Sequence, residues 1–152
     1  MFCPAVRSGY AAERSRELAV EHALLSGDKV AAARLATAAA VPTLYGGRGA
    51  TVERWLSSFD ARGMAAYPPL AVIAAWAHLL LGRAGEADAA ADIAEHATHH
   101  GRPADASASF ESQRAMLRAL MCRRGPREAL ADATLAVAAE VPGNLWRTNA
   151  LW

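Results

Sequence analysis

Apolar residues recur along this chain at the three- and four-residue spacing that lines one face of a helix, and alternation of period two is nowhere sustained. Alanine, leucine, arginine and glutamate fill the stretches between, residues that lose little rotamer freedom on a helical surface. Glycine and proline break the pattern at Gly27, Gly46 and Gly47, Gly49, Gly63, Pro68 and Pro69, Gly82, Gly85, Gly101, Pro103, Gly125 and Pro126, and Pro142 and Gly143. The segments between these breaks predict seven helices and the opening of an eighth, in an all-α chain.

The first helix, over 11–26, carries Leu18, Ala19, His22 and Leu25 on one stripe, with Glu13, Arg14, Glu17 and Glu21 largely opposite. Asp28 is placed to cap the second, which carries Val30, Ala33, Leu35, Ala36 and Ala39 before Pro42 and the glycines at 46 and 47 close it. Thr51 opens a short helix holding Trp55, Leu56 and Phe59. Pro68 and Pro69 suit the first turn of a fourth, apolar all round to Leu81 except at His78, which must be covered on both sides. A fifth, over 85–99, sets small alanines against Glu86, Asp88, Asp92 and Glu95, as an outer helix packed closely on an inner one would. Ser107 or Ser109 opens the sixth, with Met116, Leu117, Leu120 and Met121. Pro126 opens the seventh, where Leu130, Ala133, Leu135, Val137 and Ala138 repeat helically until Pro142. Residues 145–152 read as the start of another helix, and the terminal Trp152 as a cut from a longer polypeptide.

Composition narrows the class. At 152 residues the chain is about one domain, 53% hydrophobic and 20% charged, which excludes intrinsic disorder. Lys and Arg number 16 against 15 Asp and Glu, and no basic stripe stands out for phosphate neutralisation, so direct nucleic-acid contact by this segment is not expected. Lys29 is the only lysine, a preference for arginine that, with the abundant alanine, fits a high-GC bacterial genome. Cys3 and Cys122 form neither a disulfide framework nor a metal-ligand spacing, so a reducing cytoplasm fits. No signal-peptide pattern opens the chain, and its longest apolar run, 69–81, falls short of the ~20 residues that span a bilayer.

Three helix-turn-helix junctions resemble one another: Leu24-Leu25-Ser26-Gly27-Asp28, Leu80-Leu81-Gly82-Arg83-Ala84, and Met121-Cys122-Arg123-Arg124-Gly125-Pro126. Aligned on Ala32, Ala87 and Ala129, they fall 55 and 42 residues apart, the longer spacing holding the extra Trp55 helix. A helical hairpin recurring at this period is the mark of an α-solenoid, in which each hairpin buries its apolar face on a neighbour. Residues 11–152 are accordingly expected to form one TPR-like repeat domain, a right-handed α-α superhelix of seven to eight helices, after an N-terminal extension over 1–10. An irregular helical bundle with three chance turns is the competing arrangement.

The same residues carry a family resemblance. Ala19-Val20-Glu21-His22-Ala23-Leu24 before Ser26-Gly27-Asp28, Val52-Glu53-Arg54-Trp55-Leu56, and Pro69-Leu70-Ala71 with Ala75-Trp76-Ala77 and Leu80-Leu81-Gly82-Arg83 before Glu86-Ala87 resemble the helical-repeat region of MalT-like regulators, large bacterial transcriptional regulators of the LuxR type. The similarity is good over 17–87 and looser elsewhere. It implies an N-terminal P-loop ATPase, a TPR-like superhelix that senses an inducer or partner, and a C-terminal DNA-binding helix-turn-helix. This chain departs from that order: it has no G-x-x-x-x-G-K-[ST] loop and no recognisable DNA-reading helix. Nucleotide hydrolysis and operator binding would then belong to a longer polypeptide, leaving here the sensor.

Candidate chemistry is sparse. His96, His99 and His100 stand at i, i+3 and i+4, with Asp92 one turn earlier, a spacing zinc can use. Against that, no Glu follows the first His and no later ligand is evident, so these imidazoles also read as decoration of a helix C-terminus before Gly101. His22 and His78, on apolar faces without a neighbouring nucleophile, are expected to be packed core residues. Cys122 precedes Arg123 and Arg124, which would activate an exposed thiol, but its place in the apolar stripe predicts a small core residue. Trp55, Trp76, Trp146 and Trp152, with Tyr45 and Tyr67, could stack on a sugar-like or aromatic inducer. Burial predicts instead that Trp55 and Trp76 fill space between hairpins, and that Trp146 and Trp152 meet a following repeat. Arg7, Arg14 and Arg16, interrupted by Glu13 and Glu17, read as a solvated face with i to i+4 pairs.

No residue is assigned a catalytic, cofactor-binding or metal-ligating role. The expected function is non-enzymatic: a cytoplasmic ligand- or partner-sensing and self-association domain of a MalT-like regulator, taking a small-molecule inducer or protein in its groove. A free-standing TPR-like interaction scaffold is the alternative.

Overall fold

Gly27, Gly82 and Gly125 stand at φ of 78°, 74° and 97°, and at each the chain turns from one helix into the next. At Gly27 and Gly82 a Cβ would meet nothing within 4 Å, so glycine serves there for its left-handed backbone and not for space. The structure, a computed structural model, describes residues 4–142, 144 and 147, with side chains from residue 12 onward. All its regular elements are helices: α1 Pro4–Ser26, α2 Lys29–Tyr45, α3 Gly49–Leu56, α4 Ala61–Ala66, α5 Pro68–Leu80, α6 Ala84–His96, α7 Phe110–Met121 and α8 Pro126–Ala139. The expected helix over 145–152, with Trp146 and Trp152, lies outside the described residues, Arg147 excepted.

Local chemistry starts several of these elements. Asp28 accepts from the Ala31 amide at 2.9 Å to cap α2, Asp60 from Gly63 at 2.8 Å to cap α4, and Ser109 from Ser112 at 3.0 Å to cap α7. Prolines occupy the first turns of α5 and α8, where a missing N–H loses nothing. The second helix takes Pro42 into its last turn and closes at the glycines, as expected of them. It runs on to Tyr45, because its last turn buries Val41 and Thr43 and is closed by amides of the Gly46-Gly47-Arg48 segment bonding back to Pro42, Leu44 and Thr43. α4 was not expected: six residues with none buried carry no apolar period to announce it.

The most apolar helix lies in the middle. Every residue of α5 from Pro68 to Ala77 is buried, with α2, α6 and α7 packed against it, so the expectation that this helix is covered all round holds. α2, α5 and α7 lie in sequence, each against the next. α1 packs on α2, α6 on α5 with α4 beside it, and α8 on α7. Ala87, Ala90, Ala91 and Ala94 form the buried side of α6, small residues that let its axis approach α5. Trp55, Leu70, Ile73 and Leu117 are among the largest fully buried side chains, and Trp76 is buried beside them, so both tryptophans are core as expected.

The orientation of α1 corrects the sequence reading. Leu18 is 60% and Leu25 85% exposed, while Val20 and Ala23 are buried. The acidic row points toward the fold: Arg48 meets Glu13 at 3.0 Å and Glu17 at 2.5 Å, and Arg54 meets Glu21 at 2.6 Å. Glu13 and Glu17 are therefore engaged by the turn before α3, not by arginines one turn away on their own helix. α8 behaves similarly, burying Asp132 and Ala136 while Leu130 is 70% exposed.

Candidate functional site

The histidine cluster is not assembled. α6 ends at His96, because Ala97 turns to extended backbone, so His99 and His100 leave the helix and the i, i+3, i+4 face is never formed. His96 Nδ1 lies 2.8 Å from the Asp92 carbonyl oxygen. His99 sits between the rings of Tyr67 and Phe110, with centroids at 5.3 and 5.9 Å in edge-to-face geometry. Burial, then the Arg34 and His100 charges, pushes its pKa below the ordinary value. Among the described residues no three His, Cys, Asp or Glu side chains come together as a metal site. The end of α6 is covered from α7: Arg114 donates to the carbonyls of Ala94, Glu95 and Ala97 at 3.2–3.5 Å, a cation at the negative end of a helix.

The other single residues divide. His22 is exposed, against the expected core position, because it shares the outward stripe of α1 with Leu18 and Leu25. His78 is half-buried with Nδ1 enclosed and unpartnered, and burial lowers its pKa. Cys122 is exposed and not a core residue: it ends α7 in left-handed backbone at φ 50°, a turn position that points out of the apolar stripe. Tyr67 is buried and its hydroxyl accepts from the Ala104 amide at 3.1 Å, whereas Tyr45 is exposed. Trp55 and Trp76, being buried, offer no open stacking surface.

The feature that the sequence reading missed is a cleft of about 210 Å³ where α6, α7 and α8 meet. Ala91, Leu117, Met121 and Ala129 give it an apolar lining. Around them runs a chain of ion pairs. Arg118 reaches Glu111 at 2.7 Å, Asp132 at 3.0 Å and Glu95 at 3.5 Å, and Arg124 reaches the other Asp132 oxygen at 2.6 Å. Arg123 is held on the α6 surface by Asp88 and, at 2.8 Å, by Asp92. Burial works against the Arg118 charge, but Glu111 and Asp132 outweigh it and raise its pKa; the bonds to Asp88 and Asp92 raise that of Arg123. Asp132 is a charge on an alanine-rich helix whose partners stand fourteen and eight positions earlier, on α7 and in the turn that follows it. Only the Arg123-Arg124 pair marked the place in the sequence.

A second polar cluster fixes the segment 97–109. The buried Glu140 carboxylate accepts from the Ala108 amide at 2.9 and 3.1 Å, from Ser112 Oγ at 2.5 Å and from Asn144 at 3.0 Å. Asp105 accepts from Gln113 Nε2 at 2.6 Å and from both the amide and the hydroxyl of Ser107. These bonds tie the loop to the start of α7 and the end of α8.

No family model, curated protein or solved structure matches this chain. Among the described residues no helix is long and apolar enough to cross a membrane.

Proposed function

We propose that the chain is the sensing and self-association segment of a MalT-like transcriptional regulator of the LuxR type, a TPR-like right-handed superhelix that takes an inducer or partner and performs no chemistry itself. The observation that carries this reading is the outward apolar row on both flanking helices, Leu18 and Leu25 on α1 and Leu130, Ala133, Val137 and Ala138 on α8, outside a row of helices that lie each against the next. Hairpins that contact only their neighbours leave such rows at each end, and burying one leucine is worth about 1.5–3 kcal/mol. The glycine turns at Gly27, Gly82 and Gly125 support the repeat character, and the resemblance over 17–87 supports the family.

Sedimentation velocity over a concentration range tests the association. The unmodified chain is expected to self-associate and the Leu25→Glu and Leu130→Glu variants to remain monomeric. A monomer at every concentration overturns it. The surrounding reading frame tests the family: a phosphate-binding loop before these residues and a helix-turn-helix after them support it, and a frame holding neither overturns it.

A further inference from the structure

The cleft between α6, α7 and α8 is smaller than the ~300 Å³ at which drug-sized pockets begin, so it has room only for a small molecule. Its lining of Ala91, Leu117, Met121 and Ala129 suits a compact hydrocarbon body. The charges at its rim settle the polar end of that molecule.

Each arginine there is already answered within the protein. Arg118 is shared among Glu111, Asp132 and Glu95, Arg124 rests on Asp132, and Arg123 is held by Asp88 and Asp92. An anion would have to displace one of these carboxylates, and freeing Asp132, which is only 8% exposed, would strand a charge away from water. The carboxylates are less fully used. Glu128, on the α8 side, makes no ion pair or hydrogen bond among the described residues, and Glu95, on the α6 side, touches Arg118 only at 3.5 Å. The unanswered charge at the rim is therefore negative, while the lining is apolar.

From this combination we infer that the cleft is a binding site for a small primary amine with a branched or compact apolar body, its ammonium facing Glu128 and Glu95 and its hydrocarbon end lying on Leu117 and Met121. Such an occupant touches α6 of one hairpin and α7 and α8 of the next. Its affinity then depends on the angle between the hairpins, which is what couples occupancy to shape.

Three probes with one carbon frame test the assignment: 3-methylbutylamine, 3-methylbutanol and 3-methylbutanoate, followed by saturation transfer from protein to ligand methyls and by titration calorimetry at pH 7.5. The amine is expected to bind best of the three. Glu128→Gln, an exposed substitution, should weaken it about two- to fivefold, the range for an exposed ion pair, and bring it level with the alcohol. Ala129→Leu should abolish binding by filling the cleft, with an unchanged circular dichroism spectrum. Equal or tighter binding of the carboxylate, amine binding indifferent to both variants, or no transfer to any probe overturns the site. The inference goes beyond the association reading and does not rest on it: the same titration on Leu130→Glu, whose changed residue lies outside the cleft, scores binding whether or not copies associate.

Discussion

The indole Nε1 of Trp55 donates to the Glu21 carboxylate at 3.0 Å, joining the fully buried ring of α3 to the acidic row of α1. The same oxygen accepts from Arg54 at 2.6 Å. Glu21→Ala would leave the indole N–H without its partner, at a cost of about 1–3 kcal/mol. Arg54→Ala removes an exposed partner and should cost under about 1 kcal/mol. Urea unfolding followed by tryptophan emission separates the two, and equal costs would refute this account of the α1–α3 contact. The bond to Arg54, then that to Trp55, holds the Glu21 carboxyl below its ordinary 4.5. A depressed carboxylate stabilises the fold above that value, and its contribution is lost as pH falls below 4.5 through the folded-state value.

Asp132 is the shared anion of Arg118 and Arg124. Asp132→Ala takes one of three carboxylates from the largely buried Arg118, which keeps Glu111 and Glu95, and should cost about 1.5–2 kcal/mol. Arg124→Ala, whose side chain is more than half exposed, should cost under about 1 kcal/mol. Midpoints of chemical denaturation read the difference; comparable losses would mean that Asp132 is held by its helix and not by the pair.

His99 and His78 are both kept neutral by burial, with pKa values below the ordinary 6.5. As pH falls below 6.5 the unfolded chain takes up protons that the folded one resists, so stability drops from that point down through the folded-state values. Melting temperature at pH 7.5 should exceed that at pH 5.5, and His99→Phe, which keeps an aromatic edge between Tyr67 and Phe110, should flatten the slope. An unaltered slope in both His99→Phe and His78→Leu would dismiss these two residues as its source.

Glu140 is the anchor of the loop before α7. Glu140→Ala strands the Ala108 amide and the Ser112 hydroxyl and should cost about 2–3 kcal/mol. Hydrogen exchange at Ala108 and Ser107 should accelerate while that of α5 changes little. Exchange that stays slow at Ala108 would show that the Asp105 bonds suffice.

The turn chemistry was legible in the sequence because it is local. Asp28 caps as its position foretold, Ser109 proves to be the cap of the two serines offered for α7, and the three hairpin glycines carry the backbone that only glycine adopts freely. Burial was legible where a helix is apolar on every side, as in α5, and misleading where it is not. A stripe of Leu18, His22 and Leu25 says that α1 is amphipathic but not which neighbour it meets, and here Glu13, Glu17 and Glu21 face inward to arginines 31 to 35 positions away. The histidine spacing failed for a smaller reason: one extended residue, Ala97, stops α6 before the second imidazole. The cleft of α6, α7 and α8 could not be read because its carboxylates and arginines come from three helices and the turn before α8, joined only by packing.

The exposed apolar rows on α1 and α8 bear, on the repeat reading proposed above, on how such a chain changes length over generations. On that reading a hairpin added outside either row leaves the core around Trp55 and Trp76 as it is, so duplication of a whole hairpin would enlarge the protein without disturbing them. Insertions of part of a hairpin have no such freedom, since they would rotate an apolar row away from its mate.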